Sequence, residues 1–285
     1  KKDTIEGHVA VITMTNPPAN TWTRASLDAL ADLIQAFNAD KNIYSLVITG
    51  EGDKFFSAGA DLKLFADGNK QTAADMSTAF GRAFEVLSQF RGLSIAAING
   101  YAMGGGLEVA LACDLRIAES QAQMALPEAA VGLLPCAGGT QNLAWLVGEG
   151  WAKRMILCGE RVTAQQALDI GLVEDVTEQG HALAKAMEWA QNSERQSPTS
   201  IAACKRLIQN ARKEPMFAGM GYERDEFINL FDTNDQKEYD ALNDAAGLIE
   251  LPEPIKIDSG IATFIAIDSQ KMLELYSIFL DEPEL

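Results

Sequence analysis

The chain is poor in the groups from which several common active sites are built. Its 285 residues include two histidines, His8 and His181, and four cysteines, Cys113, Cys136, Cys158 and Cys204. No two cysteines form a CxxC pair, so neither zinc nor a disulfide framework is expected, and a reducing compartment fits. Both histidines lie outside the glycine-rich segments, which argues against a histidine-based triad. The fingerprints GxGxxG, GxxxxGK[ST] and GxSxG are missing as well. Positive charge is scarce: 23 Lys and Arg stand against 40 Asp and Glu, a net charge of −17. Nucleic acid and anionic membrane surfaces are therefore poor partners. No apolar run approaches the ~20 residues that cross a bilayer, and the start does not read as a leader. A cytoplasmic protein is expected.

What the chain does have is centred on residues 98–116, Ile-Asn-Gly-Tyr-Ala-Met-Gly-Gly-Gly-Leu-Glu-Val-Ala-Leu-Ala-Cys-Asp-Leu-Arg. An apolar run ending at Ile98 reads as a buried strand. Gly104, Gly105 and Gly106 then lead into an apolar helix carrying one carboxylate, Glu108, in its first turn. A helix start leaves unpaired N–H groups whose dipole favours negative charge. Glycine lets a ligand come close to them. A second small-residue stretch, Ser57-Ala58-Gly59-Ala60, follows the strand Tyr44–Thr49, at the kind of strand end where α/β proteins bind ligands.

The remaining pattern places strands at the front and helices at the back. His8–Met14 reads as a strand, and Thr23 caps a helix with Leu27, Leu30, Ile34 and Phe37 at helical spacing. Asp75–Phe90 reads as a helix, Asp114–Ala118 as a strand. Helices are expected from Gly138 and over Trp151–Cys158. Thr163 caps Ala164–Ile170, which stops at Gly171. Three more helices are expected over about 181–193, 199–212 and 216–231. Residues 239–285 change character: ten Asp/Glu and two Lys give −8, nearly half of the total charge. A strand over Ile261–Ile267 and a short helix over Met272–Leu280 are expected there, in a docking segment, a further domain or a fused piece.

The acid–base groups next to glycine-rich turns are Glu108 and Glu128. Apolar surroundings raise a carboxyl pKa toward neutrality, where it can act as acid or base. Two such groups facing one pocket can hold a water between them. The residues alone leave open whether these are such a pair or two buried, hydrogen-bonded glutamates.

Several segments together resemble the enoyl-CoA hydratase/isomerase (crotonase) family. They are Phe56-Ser-Ala-Gly-Ala-Asp-Leu-Lys63, Asn99-Gly-Tyr-Ala-Met-Gly-Gly-Gly-Leu-Glu108, Cys113-Asp-Leu-Arg-Ile-Ala118, Pro127-Glu128, Ala137-Gly-Gly-Thr-Gln141 and Ala167-Leu-Asp-Ile-Gly-Leu-Val173. They fall in the family's order over roughly residues 3–238. The resemblance implies an α/β fold, a crotonase-type spiral of ββα turns over 1–195 with a helical trimerisation region over 196–238. The acidic segment 239–285 lies beyond it. It also implies a homotrimer or dimer of trimers and an acyl-CoA substrate, with no metal or redox cofactor.

Mapped residue by residue, the family's oxyanion hole falls on the N–H groups of Ala60 and Gly105. Its CoA-contacting stretch falls on Ala58, Ala60, Asp61, Leu62 and Lys63. Glu108 corresponds to the group that activates water for addition at C3, and Glu128 to the donor of the proton to C2. Both are kept, which points to an enoyl-CoA hydratase of fatty-acid or related breakdown. The alternatives are a Δ3–Δ2 enoyl-CoA isomerase, or a non-catalytic CoA-ester-binding scaffold whose acidic tail docks a partner. Two departures stand out. Cys136 replaces a glycine whose backbone N–H helps position the catalytic water. After Glu238, the family's basic closing helix gives way to acidic sequence. The pocket wall is expected from Asn69–Phe84.

Overall fold

Why the chain coils into a spiral follows from what each strand buries. In the computed structural model, residues 2–61, 63 and 68–237 are described; the expected strand and helix beyond residue 260 lie outside them, as does Leu62. The front half consists of β1 (Lys2–Glu6), β2 (Val9–Met14), α1 (Arg24–Ala39), β3 (Ser45–Gly50), β4 (Phe55–Ser57) and α2 (Lys70–Ser88). Next come β5 (Leu93–Ile98), β6 (Tyr101–Met103), α3 (Gly105–Ala112), β7 (Leu115–Glu119), β8 (Gln123–Ala125) and a 3-10 turn over Glu128–Val131. The chain continues through α4 (Gly139–Leu157), β9 (Val162–Thr163), α5 (Ala164–Asp169), β10 (Asp175–Thr177), α6 (Ala182–Ser193), α7 (Pro198–Asn210) and α8 (Met216–Leu230).

Strands β2, β3, β5, β7 and β10 run parallel in one sheet, with β1 antiparallel at its edge. Strands β4, β6 and β8 pair in parallel in a second sheet, closed by β9. Each turn thus gives one strand to each sheet and then a helix: β3–β4–α2, β5–β6–α3, β7–β8. This is the expected ββα spiral.

The large sheet is buried on both faces. Ala10, Ile12, Leu46, Ile48, Ala96 and Ile98 point into the main core with α1 and α2. The alternate residues Val9, Val11, Val47, Ile95, Ala97 and Ile117 pack under α6 through Ala182, Ala186 and Ala190. Alanine every fourth residue lets that helix lie close on the sheet. Fully burying such Val, Leu or Ile side chains stabilises by roughly 1.5–3 kcal/mol each, so the spiral needs no crosslinks. The four cysteines are free.

Several boundaries agree closely with expectation. Thr23 and Thr163 both form capping boxes. The two helices expected between Gly138 and Cys158 are pieces of α4, broken at Gly148, whose φ of 77° and ψ of 163° interrupt the helix. His181 sits just before α6 rather than within it.

The Cys113–Arg116 motif is a clamp. Arg116, 2% exposed, donates to the carbonyl oxygens of Leu172 and Cys113 and pairs with Glu174 at 2.5 Å. Asp114 accepts from Ser94 and pairs with Lys205 of α7 at 2.6 Å. The motif therefore ties β7 to the helical region. In contrast α8 has no buried residue, and its Phe217 (79%) and Ile228 (65%) stand in solvent. Among the described residues no helix is long and apolar enough to cross a membrane.

Candidate active site

Two loops at the strand ends are pressed together by asparagines and glycines. Asn20, held at φ 51°, donates from Nδ2 to the carbonyl oxygens of Glu51 and Phe55. Asn99 donates to the carbonyls of Gly50 and Gly52 and accepts from the Gly50 N–H. They fix the loop that leads to Ser57-Ala-Gly-Ala60. Beside it, Gly104 adopts φ 55° and ψ −127°, a conformation for which glycine is suited, and its carbonyl starts α3. A Cβ on Gly59 would fall 2.9 Å from the Gly105 nitrogen, and one on Gly106 would fall 2.0 Å from the Ser57 oxygen. Only glycines permit this approach.

The contact leaves two N–H groups to the cavity. Trp22 uses its N–H to reach the Gly59 carbonyl and its carbonyl to accept from Asp61, so the Ala60 between them points its own N–H the other way. Gly105 is the first residue of α3, where helical N–H groups have no intrahelical partner. Neither N–H has a hydrogen-bond partner among the described residues. Ala58, Ala60, Gly104 and Gly105 all line one cavity of about 690 Å³.

Glu108 and Glu128 line the same cavity. Glu108 is 3% exposed, and its Oε1 accepts from the N–H groups of Ala137, at 2.8 Å, and Gly139, at 2.9 Å. Burial raises its pKa, while these two donors pull in the opposite direction. A Cβ on Gly139 would fall 2.8 Å from that oxygen, so glycine is required there too. Glu128 follows Pro127 at the head of the 3-10 turn. Burial, reinforced by the Glu108 charge, pushes its pKa up to about 7. Its Oε2 is buried without a hydrogen-bond partner among the described residues. Glu108 is a buried glutamate and Glu128 a half-buried one, and they are a pair on one cavity.

The other predicted positions divide. Cys136 exposes its side chain to the cavity next to both carboxylates; burial first and then their charges push its thiol up to about 11, so it stays protonated. Asp61 is half-buried and accepts from the Lys63 N–H, and Lys63 is exposed. Leu62 lies outside the described residues. His8 stacks on Tyr44, away from the cavity. The expected wall from Asn69–Phe84 is present as Ala73, Ala74, Ser77 and Phe80 of α2.

Two features were not anticipated from sequence: the donors to Glu108 and the opposite wall of Val131, Leu133 and Leu134. The donors were foreshadowed by the consecutive glycines Gly138 and Gly139. The wall was foreshadowed by the apolar run just after Glu128. Among the described residues no cluster of three or more His, Cys, Asp or Glu is placed to hold a metal ion.

Two unpartnered N–H donors and two carboxylates of raised pKa on one apolar cavity define a site for proton transfer on a substrate that develops an oxyanion. Known proteins similar to this chain belong to that class. The model of the enoyl-CoA hydratase/isomerase family matches residues 4–244. The 2,3-dehydroadipyl-CoA hydratase of Escherichia coli K12 is 38% identical over 231 residues, 81% of this chain and 89% of the relative. A short-chain-enoyl-CoA hydratase of Clostridium acetobutylicum is 36% identical over 242 residues, 82% and 90% of the two chains. Among solved structures, DspI of Pseudomonas aeruginosa superimposes with a TM-score of 0.83 at 60% identity, covering 87% of this chain and 93% of its own. The chain belongs to the enoyl-CoA hydratase/isomerase (crotonase) family.

Proposed function

We propose that the protein is an enoyl-CoA hydratase, a hydro-lyase that reversibly adds water, syn, to a 2-trans-enoyl-CoA to give the 3-hydroxyacyl-CoA. The observation that carries this reading is the paired environment of Glu108 and Glu128 beside the Ala60 and Gly105 N–H groups. The thioester oxygen accepts from those two N–H groups, a stabilisation of developing enolate charge typically worth about 3–4 kcal/mol per donor. Glu108, its Oε1 oriented by the Ala137 and Gly139 N–H groups, takes a proton from water as it adds at C3. Glu128, protonated near neutrality, delivers a proton to C2. In dehydration the roles reverse. The Cys136 backbone helps hold the water, and its thiol supplies no charge.

Ala58, Ala60, Asp61, Leu62 and Lys63 lie along the CoA moiety, and no metal or redox cofactor enters. The exposed apolar face of α8 fits a trimer or dimer of trimers. The compartment is the cytoplasm and the setting fatty-acid or related acyl-CoA breakdown.

The test is loss of the conjugated enoyl-thioester absorbance with crotonyl-CoA, run beside a 3-enoyl-CoA. Loss with the 2-enoyl ester, and product that co-elutes with 3-hydroxybutyryl-CoA, is expected. Gain of conjugation from the 3-enoyl ester alone would make the protein an isomerase. No turnover of either would leave the scaffold reading.

A further inference from the structure

The cavity that holds the two carboxylates does not stop at them. Ser77 and Cys136 line it, and both also line a second cavity of about 490 Å³ along the next turns of α2, beside Gly81, Glu85 and Val86. Ser77 and Cys136 thus stand in the walls of both spaces, one from the helix and one from the loop before Ala137. On the near side the lining is largely apolar: Ala73 and Ala74 share it with Val131, Leu133 and Leu134, which are 55%, 46% and 66% exposed. Large apolar side chains left uncovered inside a cavity mark a surface that an apolar ligand covers. On the far side the lining is mixed, with Arg82 and Gln89 beside Val86.

We propose that Ser77 and Cys136 form a passage that selects the acyl chain by length. The proposal rests on the hydratase reading. With the thioester oxygen at Ala60 and Gly105 and C2 and C3 between the carboxylates, a crotonyl group stays in the first cavity. Longer unbranched 2-enoyl chains run along the apolar wall and pass between Ser77 and Cys136 toward Gly81. Each methylene buried on the near side favours the longer ester about fourfold, and the gain levels off in the mixed, more open space beyond. The preferred substrates are esters longer than crotonyl-CoA. Gly81 is where the exit can be narrowed without disturbing the helix. A Cβ there would meet only the far end of the Glu85 side chain, at an ordinary 3.7 Å.

The test compares kcat/KM for trans-2 crotonyl-, octenoyl- and dodecenoyl-CoA in the full chain and in Ser77→Phe, Gly81→Phe and Cys136→Gly. The readout is the ratio of the dodecenoyl to the crotonyl value, in which a general loss of activity cancels. Both phenylalanine variants are expected to lower that ratio by about tenfold or more, the worth of one to two buried methylenes, and Cys136→Gly to raise it. A ratio that stays within about twofold of the wild type in both phenylalanine variants overturns the passage. If the wild type hydrates none of the three esters, the hydratase reading falls and takes this inference with it. Hydration of crotonyl-CoA with an unresponsive ratio sinks the passage alone.

Discussion

Glu108 and Glu128 are the same residue type on the same cavity, held by two differently built regions. Glu108 sits in α3, where all eight residues are buried, and its carboxylate receives two backbone N–H donors from a loop about thirty residues away. Glu128 opens a four-residue 3-10 turn with no fully buried residue, beside exposed Val131 and Leu134, and one of its oxygens has no protein partner among the described residues. Donors stabilise the ionised form and apolar burial the neutral one. Burial raises both carboxyls, and two donors from a distant loop oppose that rise at Glu108; on the hydratase reading this divides the pair into a group that accepts a proton and one that carries it. Environment, not residue type, makes the assignment.

The largest expected effect breaks this division outright. Glu108→Gln and Glu128→Gln each remove one proton-transfer group while keeping shape, and each is expected to lower kcat by about 10²–10⁴-fold. Affinity for a CoA ester, measured by calorimetry, should change little, since the loss falls in the transition state. Turnover at the wild-type rate in either variant would remove that glutamate from the mechanism.

A smaller effect targets the rigid side alone. Gly106→Ala would place a methyl 2.0 Å from the Ser57 carbonyl oxygen and 2.9 Å from its Cβ. Forcing the two loops apart should cost about 3 kcal/mol of stability, the upper end of overpacking costs, read as a lower denaturant midpoint. Gly132→Ala in the open turn, where a Cβ meets nothing within 4 Å but φ is +75°, should cost only about 1 kcal/mol. Equal losses would contradict the contrast in packing.

The pH dependence sharpens the comparison further. The reaction consumes no net proton, so the pair works with one proton shared between its members in either direction. That proton leaves as pH rises through the raised pKa of Glu128, about 7. Thus kcat/KM should fall about tenfold per unit above that pH, with the same limb for hydration and dehydration. In Glu128→Gln the limb should vanish from the residual rate. A limb that persists there belongs to another group.

How much of this was legible can be argued from particular residues. The Gly104–Gly106 turn and the helix carrying Glu108 follow from local rules, because a strand, three glycines and an apolar run leave few alternatives. So do the capping boxes at Thr23 and Thr163. The break at Gly148 was visible as two separate helical segments. The role of Arg116 was not, since the Leu172 carbonyl and Glu174 that receive it are more than fifty residues away. Nor did periodicity say that α6 would cover the second face of the large sheet, although its alanines carry the pattern.

The sequence by itself determined the family, the ββα order and the identity of the two carboxylates, because these rest on short-range spacing and on motifs in a characteristic order. Only the tertiary structure decided what those carboxylates are. The fold brings the Ala137 and Gly139 N–H groups to Glu108, leaves Oε2 of Glu128 buried without a partner among the described residues, and turns the Ala60 N–H toward the cavity by pairing its neighbours with Trp22. Proton affinity depends on burial and on hydrogen-bond partners, and both are set by segments far apart in the chain.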